Sequence, residues 1–197
     1  MPEPQGVNIR NKEIEELPWG GKFAFYWCIV GGAIDNRYAT AIKKGIMHEM
    51  TEGPLTGSNC QNIRVCIYDG KMHAVDSNDI SFQLAASHAF KMAFNEAKPQ
   101  LLEPYYHLEV LCEDSHTGDV MGDLQTRRAI IQGMDTEGHY QKIIAEVPLA
   151  ELKDYGSSLR SLTQGKAKFK LEFSNYQLVP SHIQENLVIS NALLSEV

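Results

Sequence analysis

The sequence contains no run of about 18 consecutive apolar residues, so no segment is long enough to cross a bilayer as a helix. It also lacks a secretory start. Residues 1–21 are polar, with glutamates and prolines where an apolar signal core would lie. The expected location is therefore cytoplasmic, with no membrane partner. The four cysteines (Cys28, Cys60, Cys66 and Cys112) form no C-x-x-C pair, which removes the common zinc and redox spacings. Three of them sit in apolar runs, as buried reduced thiols do. Basic charge is in deficit. A formal net charge of -7 argues against a generic nucleic-acid binder with a strongly basic face, and no DNA partner is expected. The phosphate-loop pattern G-x-x-x-x-G-K-[ST] is absent, so this stretch is expected neither to bind nor to hydrolyse a nucleoside triphosphate. Internal repeats and low-complexity tracts are missing as well.

What is present is ordinary globular material: 43% hydrophobic and 22% charged residues in 197, enough for one large or two small domains. Residues 1–21 read as a flexible, acidic lead-in. The aromatic run from Lys22 to Val30 predicts a buried strand, broken by Gly31-Gly32. Asp35 or Asn36 can cap a helix whose Tyr38, Ala41, Ile42, Gly45 and Ile46 fall on one face, ending at Gly53-Pro54. Residues 61–68 alternate as a strand, and Asp69-Gly70 signals a turn. Asp76, Ser77 and Asn78 are three plausible caps for a second helix, with Phe82, Ala85, Ala89 and Ala93 inward and Pro99 as its stop. Two prolines within six residues, Pro99 and Pro104, mark a stiff domain joint.

After the joint the order becomes regular. Tyr106, Leu108 and Val110 alternate as a strand. Thr117 caps a helix with Val120, Leu124 and Ile131 on one side. Gly133 and Gly138 bracket a turn between two strands, the second ending at Val147. Pro148 opens a helix through Leu149, Leu152, Tyr155, Leu159 and Leu162, stopped by Gly165. Phe169, Leu171 and Phe173 form a last strand. This β-α-β-β-α-β order predicts a ferredoxin-like unit, with two amphipathic helices on one face of a four-stranded antiparallel sheet. The tail after Pro180 reads as a peripheral helix.

Candidate chemistry is sparse. Seven histidines are scattered without metal-ligand spacing. His73, Asp76 and Ser77 resemble a hydrolase triad on paper, but a triad draws its partners from separate segments, and Ser77 suits a helix cap better. An independent hydrolase is thus the weak rival reading. Lys166, Lys168 and Lys170 share one face of the last strand, as a solvated face does. Arg127 and Arg128 lie on a helix flank suited to phosphate contact. The loop carrying Lys71 and His73 projects its donors beyond the scaffold.

The run Tyr68-Asp69-Gly70-Lys71-Met72-His73-Ala74-Val75-Asp76-Ser77 resembles the Y-D-G-x-x-H-x-V-D-S element of elongation factor G. Ile29-Val30-Gly31-Gly32-Ala33-Ile34, Gly53-Pro54-Leu55-Thr56-Gly57, Leu102-Glu103-Pro104, Thr117 to Leu124, Arg127-Arg128, Val147 to Glu151, Leu159 to Gly165 and Tyr176 to Pro180 match the same family in order. The resemblance covers residues 22–180. It implies an α+β chain of two α/β sandwich domains. Residues 1–102 are similar to domain IV, which is related to one domain of a small-subunit ribosomal protein S5, and here incomplete, without its first strand and Gly-rich tip loop. Residues 103–180 resemble domain V, with the ferredoxin-like βαββαβ fold, and 181–197 form a helical tail.

The resemblance further implies a ribosome-binding C-terminal module of a translational GTPase that promotes movement of transfer RNA and messenger RNA. Its partners would be tRNA, mRNA, rRNA and ribosomal proteins, and its parent monomeric. GTP and magnesium would be held by the parent's N-terminal domain, leaving this stretch without cofactor or catalytic residues. The decoding-site tip loop would comprise Asp69, Gly70, Lys71, Met72, His73, Ala74, Val75, Asp76 and Ser77, with Arg127 and Arg128 as rRNA contacts. A ribosome-recycling or tetracycline-resistance protection paralogue stays open beside the translocase.

Overall fold

A computed structural model of the chain describes residues 3–73 and 75–195. It is α+β, with two separate sheets and their helices. Two compact units divide it: residues up to Pro99 together with those from Glu185 onward, and Gln100–Gln184.

The first unit is built on a three-stranded sheet in the order β1-β2-β3, from β1 (Asn11–Glu16), β2 (Lys22–Trp27) and β3 (Ile63–Ile67). β1 pairs antiparallel with β2, and β2 pairs parallel with β3. Residues 1–21 are therefore not a lead-in throughout. Asn11–Glu16 zips onto Trp27–Lys22, and the chain reverses through Gly20 and Gly21, both at positive φ. That conformation is open to glycine at no steric cost. An edge strand needs little apolar content of its own, because the pairing comes from the backbone of β2.

The period-two alternation of β2 splits its side chains between two clusters. Phe23, Phe25 and Trp27 join Ile42, Ile46, Met50, Phe82 and Phe90 in the main core. Ala24, Tyr26 and Cys28 face the other way, covered by Val7, Ile9 and Cys66. Each buried aromatic or aliphatic side chain contributes about 1.5–3 kcal/mol. Two helices supply the rest of the core: α1 (Ala39–Thr51), preceded by a short 3-10 turn at Asn36–Tyr38, and α2 (Asp79–Glu96). Asp35 caps the 3-10 turn by accepting from the Arg37 N–H. The inward residues of α2 are Phe82, Ala86 and Phe90, not Ala85, Ala89 and Ala93, which are exposed.

The second unit has strand order β5-β6-β4-β7, all neighbours antiparallel, from β4 (Leu102–Glu113), β5 (Ile130–Glu137), β6 (Tyr140–Pro148) and β7 (Lys168–Leu178). With α3 (Thr117–Thr126) and α4 (Tyr155–Leu162) on one face, this is the expected βαββαβ arrangement. Its core joins Leu108, Val110 and Cys112 of β4 to Ile143, Ala145, Val147, Val120, Leu124, Tyr155 and Leu159. Three local expectations are corrected. Ile131 belongs to β5, because α3 stops at Thr126. Gly133 lies inside β5 at a register shift, so Gly138, at φ 65°, alone serves the turn. The helix expected from Pro148 is two pieces, a 3-10 turn at Leu149–Leu152 and then α4, separated by Asp154 at φ 60°. The last helix, α5 (Ser181–Ser195), has its first residues in the second unit and the rest in the first.

Candidate functional site

The loop between β3 and α2 carries the residues singled out in the sequence. It leaves the sheet at Ile67 and exposes Tyr68 strongly (70%). Asp69 closes the first turn by accepting from the Gly70 N–H at 2.8 Å. Gly70 packs closely on Ile34: a Cβ there would lie 2.2 Å from Ile34 Cδ1, so a larger residue would make that side chain shift. Met72 turns inward. It packs against the first unit's core, and its sulfur accepts the Asp35 N–H at 3.1 Å.

The descending half is fastened more tightly. Ser77 Oγ accepts the His73 N–H at 2.8 Å, and the Ser77 N–H returns to the His73 carbonyl at 3.2 Å. The buried Tyr38 donates its hydroxyl to the Ser77 carbonyl at 3.0 Å and stacks on Phe82 with ring centres 4.3 Å apart. Asn78, not Asp76 or Ser77, caps α2. Its side chain accepts the Ser81 N–H at 2.9 Å, while Ser81 Oγ takes the Asn78 N–H at 3.0 Å. This reciprocal pair is a capping box.

Between the anchors, Lys71, His73, Val75 and Asp76 face solvent, and Val75 is 90% exposed. Ala74 lies outside the described residues. His73 Nδ1 stands 3.8 Å from Asp76 Oδ2, both side chains open to water. The Ser77 hydroxyl meets the His73 backbone rather than its ring, so the three residues close a loop instead of forming a nucleophile, base and orienter. Among the described residues no group of three or more His, Cys, Asp or Glu side chains is arranged to hold a metal. Burial pushes the Cys60 thiol up to about 11, which keeps it an unreactive thiol.

Arg127 and Arg128 sit elsewhere, in the second unit, and are turned inward. Arg128 makes a two-pronged pair with Glu103 at 2.7 and 2.9 Å and a third bond to Glu151 at 2.8 Å. Donating to the Glu103 carboxylate, and then to Glu151, raises its pKa above the usual guanidinium range. Arg127 bonds Asp123 at 2.8 Å, the Glu151 carbonyl at 2.7 Å and Ser158 Oγ at 3.0 Å, and lies over the Tyr155 ring. These bonds give both guanidiniums a structural use and weaken the expectation that they contact rRNA. Sequence reasoning missed Tyr38 and Met72 as loop anchors, because each reaches the loop from, or toward, a distant segment.

Two family models match this chain. Elongation factor G, domain IV, covers residues 10–98, and the elongation factor G C-terminus covers residues 100–187. The chain belongs to the elongation factor G family. Elongation factor G of Aquifex pyrophilus is 45% identical over 176 residues, which is 89% of this chain and 25% of that protein. An elongation factor G-like protein of Thermotoga maritima is 42% identical over 177 residues, and elongation factor G of the same organism 41%. Each alignment takes in 89% of this chain and 26% of the relative, so the chain spans about a quarter of the length of these relatives. A crystal structure of a Thermus thermophilus protein superposes with TM-score 0.75 at 39% identity, covering 92% of this chain and 30% of that one. No helix among the described residues is long and apolar enough to cross a membrane.

Proposed function

We propose that the chain is the ribosome-contacting C-terminal module of a translational GTPase that moves tRNA and mRNA during protein synthesis. The ordered match to elongation factor G domain IV and C-terminus supports the translational setting. The observation that carries the contact itself is the β3–α2 loop, pinned at Met72 and Ser77, which exposes His73 and Val75 between those pins and Lys71 just before them. A loop ordered before binding loses little entropy on contact. With few charges, it suits recognition of RNA by shape and stacking, which also reconciles an RNA partner with a net charge of -7. Lys71, His73 and Val75 meet tRNA and mRNA at the decoding end in this reading, while the second unit meets rRNA and ribosomal proteins of the large subunit. The cytoplasm is its compartment. GTP and magnesium bind a phosphate-loop domain of the parent, and the parent's energy source acts on this module rather than within it.

Replacing His73 with Ala in the full-length parent tests the assignment. Single-turnover translocation is expected to slow at least several-fold while ribosome-stimulated GTP hydrolysis is retained. An unchanged translocation rate sinks the tip-loop reading. The near-equal identity to an elongation factor G and to an elongation factor G-like protein of one organism also supports a second reading, a recycling or ribosome-protection paralogue. A parent that splits post-termination ribosomes or restores synthesis in tetracycline, yet does not translocate, favours it.

A further inference from the structure

We infer that a cavity beside the β3–α2 loop receives one unstacked base of an RNA strand, with Arg10 on the adjoining phosphate. The inference rests on the RNA-facing reading of that loop. The cavity is about 480 Å³ and lies within the first unit. That size falls within the usual range for small-ligand sites. Its floor is apolar: Trp27, Ile29 and Ile34 are buried core side chains beneath it, and the half-buried Met72 thioether is the apolar group most open to the flat face of a base.

Gly32 forms part of the wall. A Cβ built there meets nothing within 4 Å, so the wall is bare backbone and a planar ring can approach it closely. Asn36 lines the cavity too and offers both a donor and an acceptor to a base edge.

Arg10 supplies the charge. Its backbone N–H is fixed on the Trp27 carbonyl at 2.8 Å, while its exposed guanidinium makes no ion pair among the described residues. Such a fork suits a phosphate. The one carboxylate in the lining, Asp35, accepts the Arg37 N–H at 3.0 Å and lies 3.8 Å from the Arg37 guanidinium, which offsets its charge. Met72 belongs both to the cavity and to the tip loop, so a strand lying on the loop reaches the cavity without a gap.

The test is a titration of the 197-residue chain followed by nuclear magnetic resonance at the Trp27 indole N–H and the Met72 methyl. The probes are hexauridylate, uridine monophosphate and ribose 5-phosphate. Hexauridylate is expected to move both signals saturably, ribose 5-phosphate to move neither, and uridine monophosphate to bind about tenfold more weakly than the hexamer because it engages fewer phosphates. The Trp19 indole, held on the Cys60 carbonyl at 2.8 Å, should stay still. Arg10→Glu, a change on an exposed side chain, should weaken hexamer binding about tenfold.

Silent Trp27 and Met72 signals overturn the inference, as do equal shifts with ribose 5-phosphate or an affinity unchanged in Arg10→Glu. Equal affinity for monomer and hexamer overturns the strand as occupant. Cosedimentation of the parent with ribosomes is read separately. If it holds while the titration is blank, only the cavity falls. If it fails while the titration succeeds, only the ribosomal setting falls.

Discussion

Gly45 and Glu49 stand one helical turn apart on α1 and meet Gln83 and Ser87, one turn apart on α2. This repeat of four brings two helices side by side at one seam. At Gly45 the approach is backbone to backbone, since a Cβ would sit 2.1 Å from the Gln83 carbonyl oxygen. Gly45→Ala gains helix propensity but must push α2 away, and overpacking of that kind costs about 1–3 kcal/mol. Urea unfolding followed by tryptophan emission should show the loss. At Glu49, burial works against the charged form, but the Ser87 hydroxyl and the Lys91 ammonium, 3.0 Å away, outweigh it and hold the pKa below the ordinary 4.5. The sign follows from linkage. A carboxylate depressed in the folded state adds stability above its unfolded pKa, and that stability is lost as pH falls through the folded value. Glu49→Gln should therefore be less stable than the native chain at pH 7 by about 1–2 kcal/mol. The gap should close well below pH 4.5, read from urea midpoints across a pH series. A gap independent of pH would show that packing, not charge, sets the effect.

At the scale of elements, the cap of α2 also fixes the descending half of the loop. Asn78 and Ser81 satisfy each other's backbone donors, and Ser81 Oγ is also within 3.3 Å of the Asp76 carbonyl. Asn78→Ala should cost about 1 kcal/mol and Asn78→Gly only a few tenths. Amide exchange should quicken at His73 and Ser77 before it does so in β3. The second sheet, and the run from β3 through its turn to α2, rest on elements that punctuation in the sequence made readable, above all Asp69-Gly70, Pro99, Gly138 and Gly165. β1 was not readable, since Lys12, Glu13, Glu15 and Glu16 surround a single apolar Ile14 and its pairing is set by the backbone of β2. The phase of α2 misled for a different reason: Ala85, Ala89 and Ala93 repeat every four residues just as Phe82, Ala86 and Phe90 do, and burying the larger rings removes more apolar area from water. The intramolecular partners of the arginine pair were not legible, because Glu103, Glu151 and Ser158 lie 23 to 31 residues away in sequence. The tip loop was legible as a projecting turn, but its pins at Tyr38 and Asp35 were not, as they come from the far side of α1 in sequence.

For the whole molecule, the deciding fact is that no residue of the first unit's main core appears in the core of the second. Each sheet closes over its own pair of helices, so each unit meets the usual condition for a domain, a hydrophobic core of its own. The chain carries a built-in probe of this, because its two tryptophans, Trp19 and Trp27, both belong to the first unit. Leu108 is fully buried at the centre of β4, and truncating it to Ala removes apolar contact and leaves a cavity, at a cost of about 2–5 kcal/mol. If the cores are energetically separate, Leu108→Ala lowers the midpoint of one circular dichroism transition and leaves the tryptophan-emission midpoint where it was. Ile46→Ala, at the buried centre of α1, should do the reverse. A shift of both signals by either variant would mean that the units unfold together, with α5, which has residues in both, as the element to truncate next. The outcome bears on function. Two separately stable units can each keep a preformed surface, so a change confined to one core should leave the surface of the other intact.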